Sequence, residues 1–343
     1  MKRIVMIAAL VQASAALAQQ TLYLAEYKFN DPMLTTMSPD GSGVMEVEGV
    51  FPAQDWLVVG LYVDADAGKI YWTHGGFEEG RISRANLDGS GREVLLSGLT
   101  NPRGLAVDTG AGVMFWSDTQ DEVIYRATIE GEDLTAIVDT GSQYGRPTLD
   151  TAAQRVYYGN FTSGAIRVCD YDGNGDSRVV GGGDDPTGIA LDLAAGKIYW
   201  TDAQTVTNYV ARADLDGTDV EILVDFPLAS SGLEDIRIDP DAGEIYWIDE
   251  ITDSERGVWR AALDGSGAER IYDSPAEWNA GALWLAAAGC AVDINGDGAV
   301  NTQDVILFLN LWTSGDARAD WNGDGAIDTR DFIAFLNAWV AAC

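Results

Sequence analysis

A short aromatic strand motif recurs six times along this 343-residue chain, at Tyr23, Tyr71, Phe115, Tyr157, Tyr199 and Tyr246, each copy followed at a fixed interval by an Asp-Gly-type turn. The best copies read YWTH (Tyr71 to His74), FWSD (Phe115 to Asp118), YWTD (Tyr199 to Asp202) and YWID (Tyr246 to Asp249). Weaker copies run from Tyr23 to Glu26 and from Tyr157 to Asn160. A period of roughly 40 to 50 residues with several strands per unit is the signature of propeller blades. Six blades are expected.

Two further phrases repeat in step. A Gly-apolar-Asp phrase precedes the aromatic strand, as GLYVD ending at Asp64, GLAVD at Asp108, PTLD at Asp150, GIALD at Asp192 and DIRID at Asp239. A turn follows it, at Pro39, Leu87, Ile129, Tyr171, Leu215 and Leu263, where Asp-Gly supplies the positive φ of a tight hairpin. The first aromatic strand has no such preceding phrase, whereas GALWLA (Gly281 to Ala286) stands unpaired at the other end. That segment is expected to supply the first blade's inner strand, closing the ring and removing its free edges.

Over residues 21 to 288 these motifs resemble the YWTD propellers of the low-density-lipoprotein receptor family. The resemblance implies an extracellular, noncatalytic, six-bladed recognition module. The N-terminus agrees with export: Lys2 and Arg3, then an apolar stretch from Ile4 to Leu17 too short to span a bilayer, then Ala16-Leu17-Ala18 before Gln19. Residues 1–18 are read as a signal peptide, 19–288 as the propeller and 289–343 as a second domain. The formal charge of −33 becomes −35 once Lys2 and Arg3 are removed with the signal. A field of that sign repels phosphates and anionic lipid, arguing against nucleic acid or membrane surfaces as partners. No later apolar run is long enough to make a transmembrane segment.

The C-terminal segment holds one twelve-residue pattern twice, DINGDGAVNTQD (Asp293 to Asp304) and DWNGDGAIDTRD (Asp320 to Asp331). Oxygen donors at positions 1, 3, 5, 7, 9 and 12, with glycine at 6, wrap one calcium ion. The ligands would be Asp293, Asn295, Asp297, the Ala299 carbonyl, Asn301 and Asp304 in the first loop. In the second they would be Asp320, Asn322, Asp324, the Ala326 carbonyl, Asp328 and Asp331. An amphipathic stretch follows each loop, from Val305 and from Phe332. Loop then helix, duplicated 27 residues apart and closing on Asp, resembles the type I dockerin, a small all-α calcium-binding module. The flanking Cys290 and Cys343 resemble the GC-type dockerin at the ends of secreted bacterial proteins. The resemblance implies two calcium ions, a disulfide between those cysteines, and a cohesin-like or cell-surface anchoring partner. Thr302-Gln303 and Thr329-Arg330, before the twelfth ligands, are not the Ser/Thr pairs often seen in cellulosomal dockerins. A cohesin and a surface anchor therefore both stay open.

Three features have ordinary structural explanations. DYDGNG (Asp170 to Gly175) mimics half a calcium loop but has Gly181 at its twelfth position, and it falls where other blades have their hairpin turn. Cys169 aligns with Ala85, Ala127, Ala213 and Ala261, a small enclosed site, and is expected to be a free, structural thiol. His74, the only histidine, has no accompanying nucleophile and holds a repeat position.

These features describe a recognition or scaffold protein whose propeller presents a protein or glycan ligand face. Trp56, Arg103, Arg146, Glu234 and Trp278, which enter the inner strands and ring one channel mouth, are the candidate contact residues. The alternative is a lactonase- or esterase-type hydrolase with a divalent ion in the channel, to which Glu234, Asp235 and Asn279 could contribute. Within blades, Arg126, Arg212 and Arg260 follow Asp118, Asp202 and Asp249, whereas Val168 follows Asn160. That covariation predicts ion pairs between the motif Asp and its Arg.

Overall fold

A computed structural model describes residues 20–28, 31–55, 57–76, 80–141, 145–181, 185–203, 208–226, 232–249, 256–275, 278–286, 302–314, 319, 321 and 326–341. Contacts divide the chain into Thr21–Ala286 and a unit holding Ala287–Cys343. The first is an all-β ring of six four-stranded antiparallel sheets, the six blades expected from the repeats. The aromatic motif forms the second strand of every blade. The inner strands are Val58–Asp64, Pro102–Asp108, Thr148–Asp150, Pro186–Asp192 and Leu233–Asp239 in blades 2 to 6. In blade 1 the inner strand is Asn279–Ala286, paired with Thr21–Lys28 so that Trp284 faces Tyr23. The last strand of the unit thus closes the ring, as the unpaired GALWLA phrase requires.

Period-2 alternation explains why the motif begins with two aromatics. Successive residues point to opposite faces of a blade, so one packs on each neighbour. Tyr71 shares a core with Trp116, Tyr157 with Trp200, and Tyr199 with Trp247. The first aromatic therefore faces the following blade and the second the preceding one. Trp72, Trp116 and Trp247 are fully buried.

The Asp-Gly turns join blades as well as strands. In each, the glycine takes positive φ and lies against the outer part of the preceding blade. A Cβ on Gly217 (φ 83°) would stand 1.9 Å from the Val179 carbonyl oxygen, and one on Gly173 would stand 2.0 Å from that of Ile137. Asp170 to Gly175 is such a turn, closed by Gly173 N–H to the Asp170 carbonyl, with the Asp170 carboxylate accepting the Asp172 and Asn174 N–H groups. Cys169 sits across from Val156 as Ala85 does from Ile70; it is buried and free, and burial pushes its thiol pKa up to about 12.

The expected Asp–Arg pairs within blades do not form. Arg126 is opposite Phe115, three residues along the strand from Asp118. An odd separation puts the two side chains on opposite faces, about 10 Å apart along the strand. Arg126 reaches instead to Asp172 and Arg212 to the Leu263 carbonyl, both in the next blade's turn, as Arg84 does in a fork to Glu130, whereas Arg260 pairs with Glu244 and Glu269 of its own blade. The motif acid anchors the linker that leads into its own blade. Asp118 Oδ2 accepts the Thr100 and Asn101 N–H groups, and Asp202 Oδ1 accepts that of Asp185. Asn160 serves the same linker through its amide N–H, donated to the Thr140 carbonyl.

In the C-terminal unit two helices are described, α1 (Thr302–Ser314) and α2 (Thr329–Ala341). Phe308 and Phe335 stack at 4.2 Å, with Trp321 edge-on to both. Among the described residues, no helix is long and apolar enough to cross a membrane.

Candidate functional site

The inner strands line a central channel with two mouths, an upper one where they begin and a lower one where they end. Cross-strand register makes Ala282, Gly60, Gly104, Arg146, Gly188 and Asp235 equivalent in blades 1 to 6. Small residues here let neighbouring blades approach: a Cβ on Gly60 would stand 2.4 Å from the Arg103 carbonyl oxygen, and one on Gly104 2.7 Å from Arg146 Cα. Blades 4 and 6 break the rule with opposite charges.

Arg146 crosses the channel. From blade 4 it donates through Nη1 to the Val59 carbonyl (2.7 Å) and through Nη2 to that of Gly281 (3.0 Å), on blades 2 and 1. It pairs with Glu234 at 2.7 Å and lies 3.7 Å from Asp235. Asp235 is buried, and both its oxygens are engaged: Oδ1 with the Ile236 N–H and Arg237 Nη1, Oδ2 with the Leu283 N–H. The result is a polar waist that closes the channel with a guanidinium at its centre.

Of the residues expected to form a ligand face, the structure brings together Arg146 and Glu234. Trp278 is half-buried beneath Lys28, whose ammonium lies 4.6 Å from its ring centre. The Arg103 carbonyl accepts the Thr73 hydroxyl from the neighbouring blade. Trp56 lies outside the described residues. Asn279, at the start of its strand, is paired with Tyr27. Three channel residues escaped the sequence reading: Tyr62, Arg237 and Trp284. They share one register position, and their signal was size, since the same position is Ala106, Thr148 or Ala190 in the other blades.

The donor set at the waist does not suit a divalent cation. Both Asp235 oxygens already accept protein N–H groups and Glu234 is paired with Arg146, so the cationic place is held by the chain. His74 is buried beside Asp55, which also receives Trp72 Nε1 and Arg81. Burial depresses the His74 pKa, Asp55 opposes that shift, and Arg81 adds to it. Among the described residues no cluster of three or more His, Cys, Asp or Glu is placed to hold a metal.

The expected calcium ligands Asp293, Asn295, Asp297, Ala299, Asn301, Asp320, Asn322 and Asp324 lie outside the described residues, as do Cys290 and Cys343, and so does the side chain of Asp304. Three ligand positions of the second loop are described. Asp331 is fully buried, with Oδ2 accepting the Asp328 N–H at 2.7 Å. Asp328 is held by Arg330 in a two-point contact, which keeps its carboxyl below the usual range. A buried carboxylate at position 12, with the Ala326 carbonyl and Asp328 supplying further hard oxygens, fits a calcium loop.

Residues 68–109 match the low-density lipoprotein receptor repeat class B, and residues 291–337 match the dockerin type I domain. A low-density lipoprotein receptor-related protein 1 of Pyricularia oryzae is 25% identical over 231 residues, 62% of each chain. Protein cueball of Drosophila yakuba is 29% identical over 174 residues, 48% of this chain and 26% of that protein. The chain therefore spans less than two thirds of these relatives. A crystal structure of a nidogen/laminin complex contains a chain of the same fold, with TM-score 0.65 and 17% identity, covering 78% of this chain and 99% of that one. TolB from Acinetobacter baumannii follows at TM-score 0.59 and 15% identity, covering 72% of this chain and 62% of that one. The chain carries a low-density lipoprotein receptor class B repeat within a six-bladed propeller and, after it in sequence, a dockerin type I domain.

Proposed function

We propose that this is a secreted, noncatalytic recognition or scaffold protein of bacterial type. In this reading residues 1–18 are its signal peptide and residues 19–288 display a protein or glycan ligand at the upper mouth. Residues 289–343 bind two calcium ions, close on a Cys290–Cys343 disulfide, and attach the protein to a cohesin-like or cell-surface partner. The observation that carries the noncatalytic part is Arg146: its guanidinium stands at the waist, where the alternative hydrolase would need its metal. A dockerin type I match makes attachment the natural role of the C-terminal domain, and a similar propeller occurs in a complex between nidogen and laminin.

The test separates the two parts. Protein lacking residues 290–343 should cleave no lactone or ester substrate at any divalent-ion concentration, because calcium in the dockerin cannot contribute there. Full-length protein should be captured by its partner surface with calcium and released by chelator. Divalent-dependent turnover by the truncated protein would overturn the noncatalytic reading, and chelator-resistant capture would overturn calcium-dependent attachment.

A further inference from the structure

Below the waist the channel widens into a cavity of about 370 Å³, open at the lower mouth and lined by all six blades. Its size falls in the range of small-molecule sites, roughly 300 to 1,000 Å³. Most of the wall is apolar, with Leu105, Val107, Leu149, Ile189, Leu191 and Ile238 among the lining residues. Tyr62 and Trp284 meet edge to face at 4.6 Å, and burial pushes the Tyr62 phenol pKa up to about 12.

Among the described residues, Arg237 is the only charged one lining this cavity. Its guanidinium lies 5.1 Å from the Trp284 ring centre. Nη1 donates to Asp235 Oδ1 and to the Ile236 carbonyl, each at 2.7 Å. The Nε–H is buried without a partner. A buried donor left unsatisfied costs about 1–3 kcal/mol, and more on a charged group. Five aspartates end the inner strands around the lower mouth and each caps a turn; their field opposes a carboxylate, and direct contact with Arg237 has to offset it. Asp64, Asp108, Asp150, Asp192 and Asp239 each accept the N–H of an alanine three residues on, at 2.8 to 3.0 Å.

We propose that this lower cavity is a second ligand site, distinct from the upper face, that binds small organic carboxylates. The carboxylate takes the Nη2 group of Arg237 in a charge-assisted contact. The apolar body fills the space beside Tyr62 and Trp284. The proposal is for binding alone: among the described residues no Ser, Cys, His, Asp or Glu lines the cavity.

The test is titration calorimetry of the full-length protein with benzoate, phenylacetate and hexanoate, and with neutral benzamide as the control. At least one carboxylate should bind saturably at one site, with benzamide about tenfold weaker or more. Arg237→Gln should weaken the carboxylate by a similar factor while leaving Asp235 its Ile236 and Leu283 N–H donors. Ala190→Trp keeps Arg237 and puts a ring into the cavity at the position that is Tyr62 or Trp284 in other blades. It should abolish binding, and its thermal midpoint reports whether the ring is intact. Failure of all three carboxylates to bind, equal binding of benzamide, or undiminished binding to folded Ala190→Trp would each overturn the proposal.

Discussion

Arg146 on the fourth blade meets Glu234 on the sixth at 2.7 Å, inside the channel. Because the same guanidinium also donates to carbonyls on the first and second blades, one side chain ties together four of the six blades. Arg146→Ala should destabilise the propeller by about 1–3 kcal/mol, less than for a fully buried pair because Glu234 is a third exposed. Glu234→Gln keeps a hydrogen-bond acceptor and should cost less than half as much. Urea midpoints of the two variants check the order, and a larger loss for Glu234→Gln would contradict it.

The interblade role of the turn glycines can be separated from their backbone conformation. Gly217 and Gly196 both have positive φ, but only Gly217 packs against the neighbouring blade; a Cβ on Gly196 meets nothing within 4 Å. Gly196→Ala should cost about 1 kcal/mol for the backbone alone. Gly217→Ala adds overpacking and should cost about 2–4 kcal/mol. Equal losses in denaturant melts would show that the turn is not a blade-to-blade contact.

How far the sequence could be read depended on whether a feature repeated. Tyr71, Trp116 and Trp247 recur at blade spacing and face predictable neighbours, so blade number and ring closure followed from pattern alone. Cys169 was legible for the same reason, through its alanine counterparts. The Asp118–Arg126 pairing failed because covariation between adjacent strands does not say which face each residue takes; the three-residue offset puts them on opposite faces. The waist was hidden for a different reason. Arg146 and Asp235 interrupt a row of small residues, and only closure of the ring brings the two interruptions together. In the C-terminal loops Asp331 stands out by its position in the repeat, whereas the Arg330 contact to Asp328 is a side-chain choice that no spacing encodes.

If the second loop binds calcium as proposed, Asp331 and Asp328 should differ in weight. Asp331 is fully buried and closes the loop, whereas Asp328 is already half-satisfied by Arg330. Asp331→Ala should lower calcium affinity of the full-length protein by about tenfold or more, and Asp328→Ala by only a few-fold. Calorimetric calcium titration of both variants decides it. Comparable losses would mean that position 9 binds the ion as directly as position 12.

His74 should make the propeller acid-sensitive. Burial is the largest influence on its imidazole and holds the pKa below the ordinary 6.5, with Arg81 adding to the shift and Asp55 only partly opposing it. Protonation is therefore harder in the folded state than in the unfolded chain. This contribution to stability is full above pH 6.5 and is lost as pH falls through the folded value. Glu26 has the opposite sign: burial raises its pKa above 4.5, so its contribution is full below 4.5 and lost as pH rises through its own folded value. A wild-type melting curve mixes the two, but the difference between wild type and His74→Gln isolates the imidazole. Between pH 8 and pH 5 the melting temperature of wild type should fall relative to that of His74→Gln. A constant gap across that range would mean that His74 titrates alike in the folded and unfolded chain.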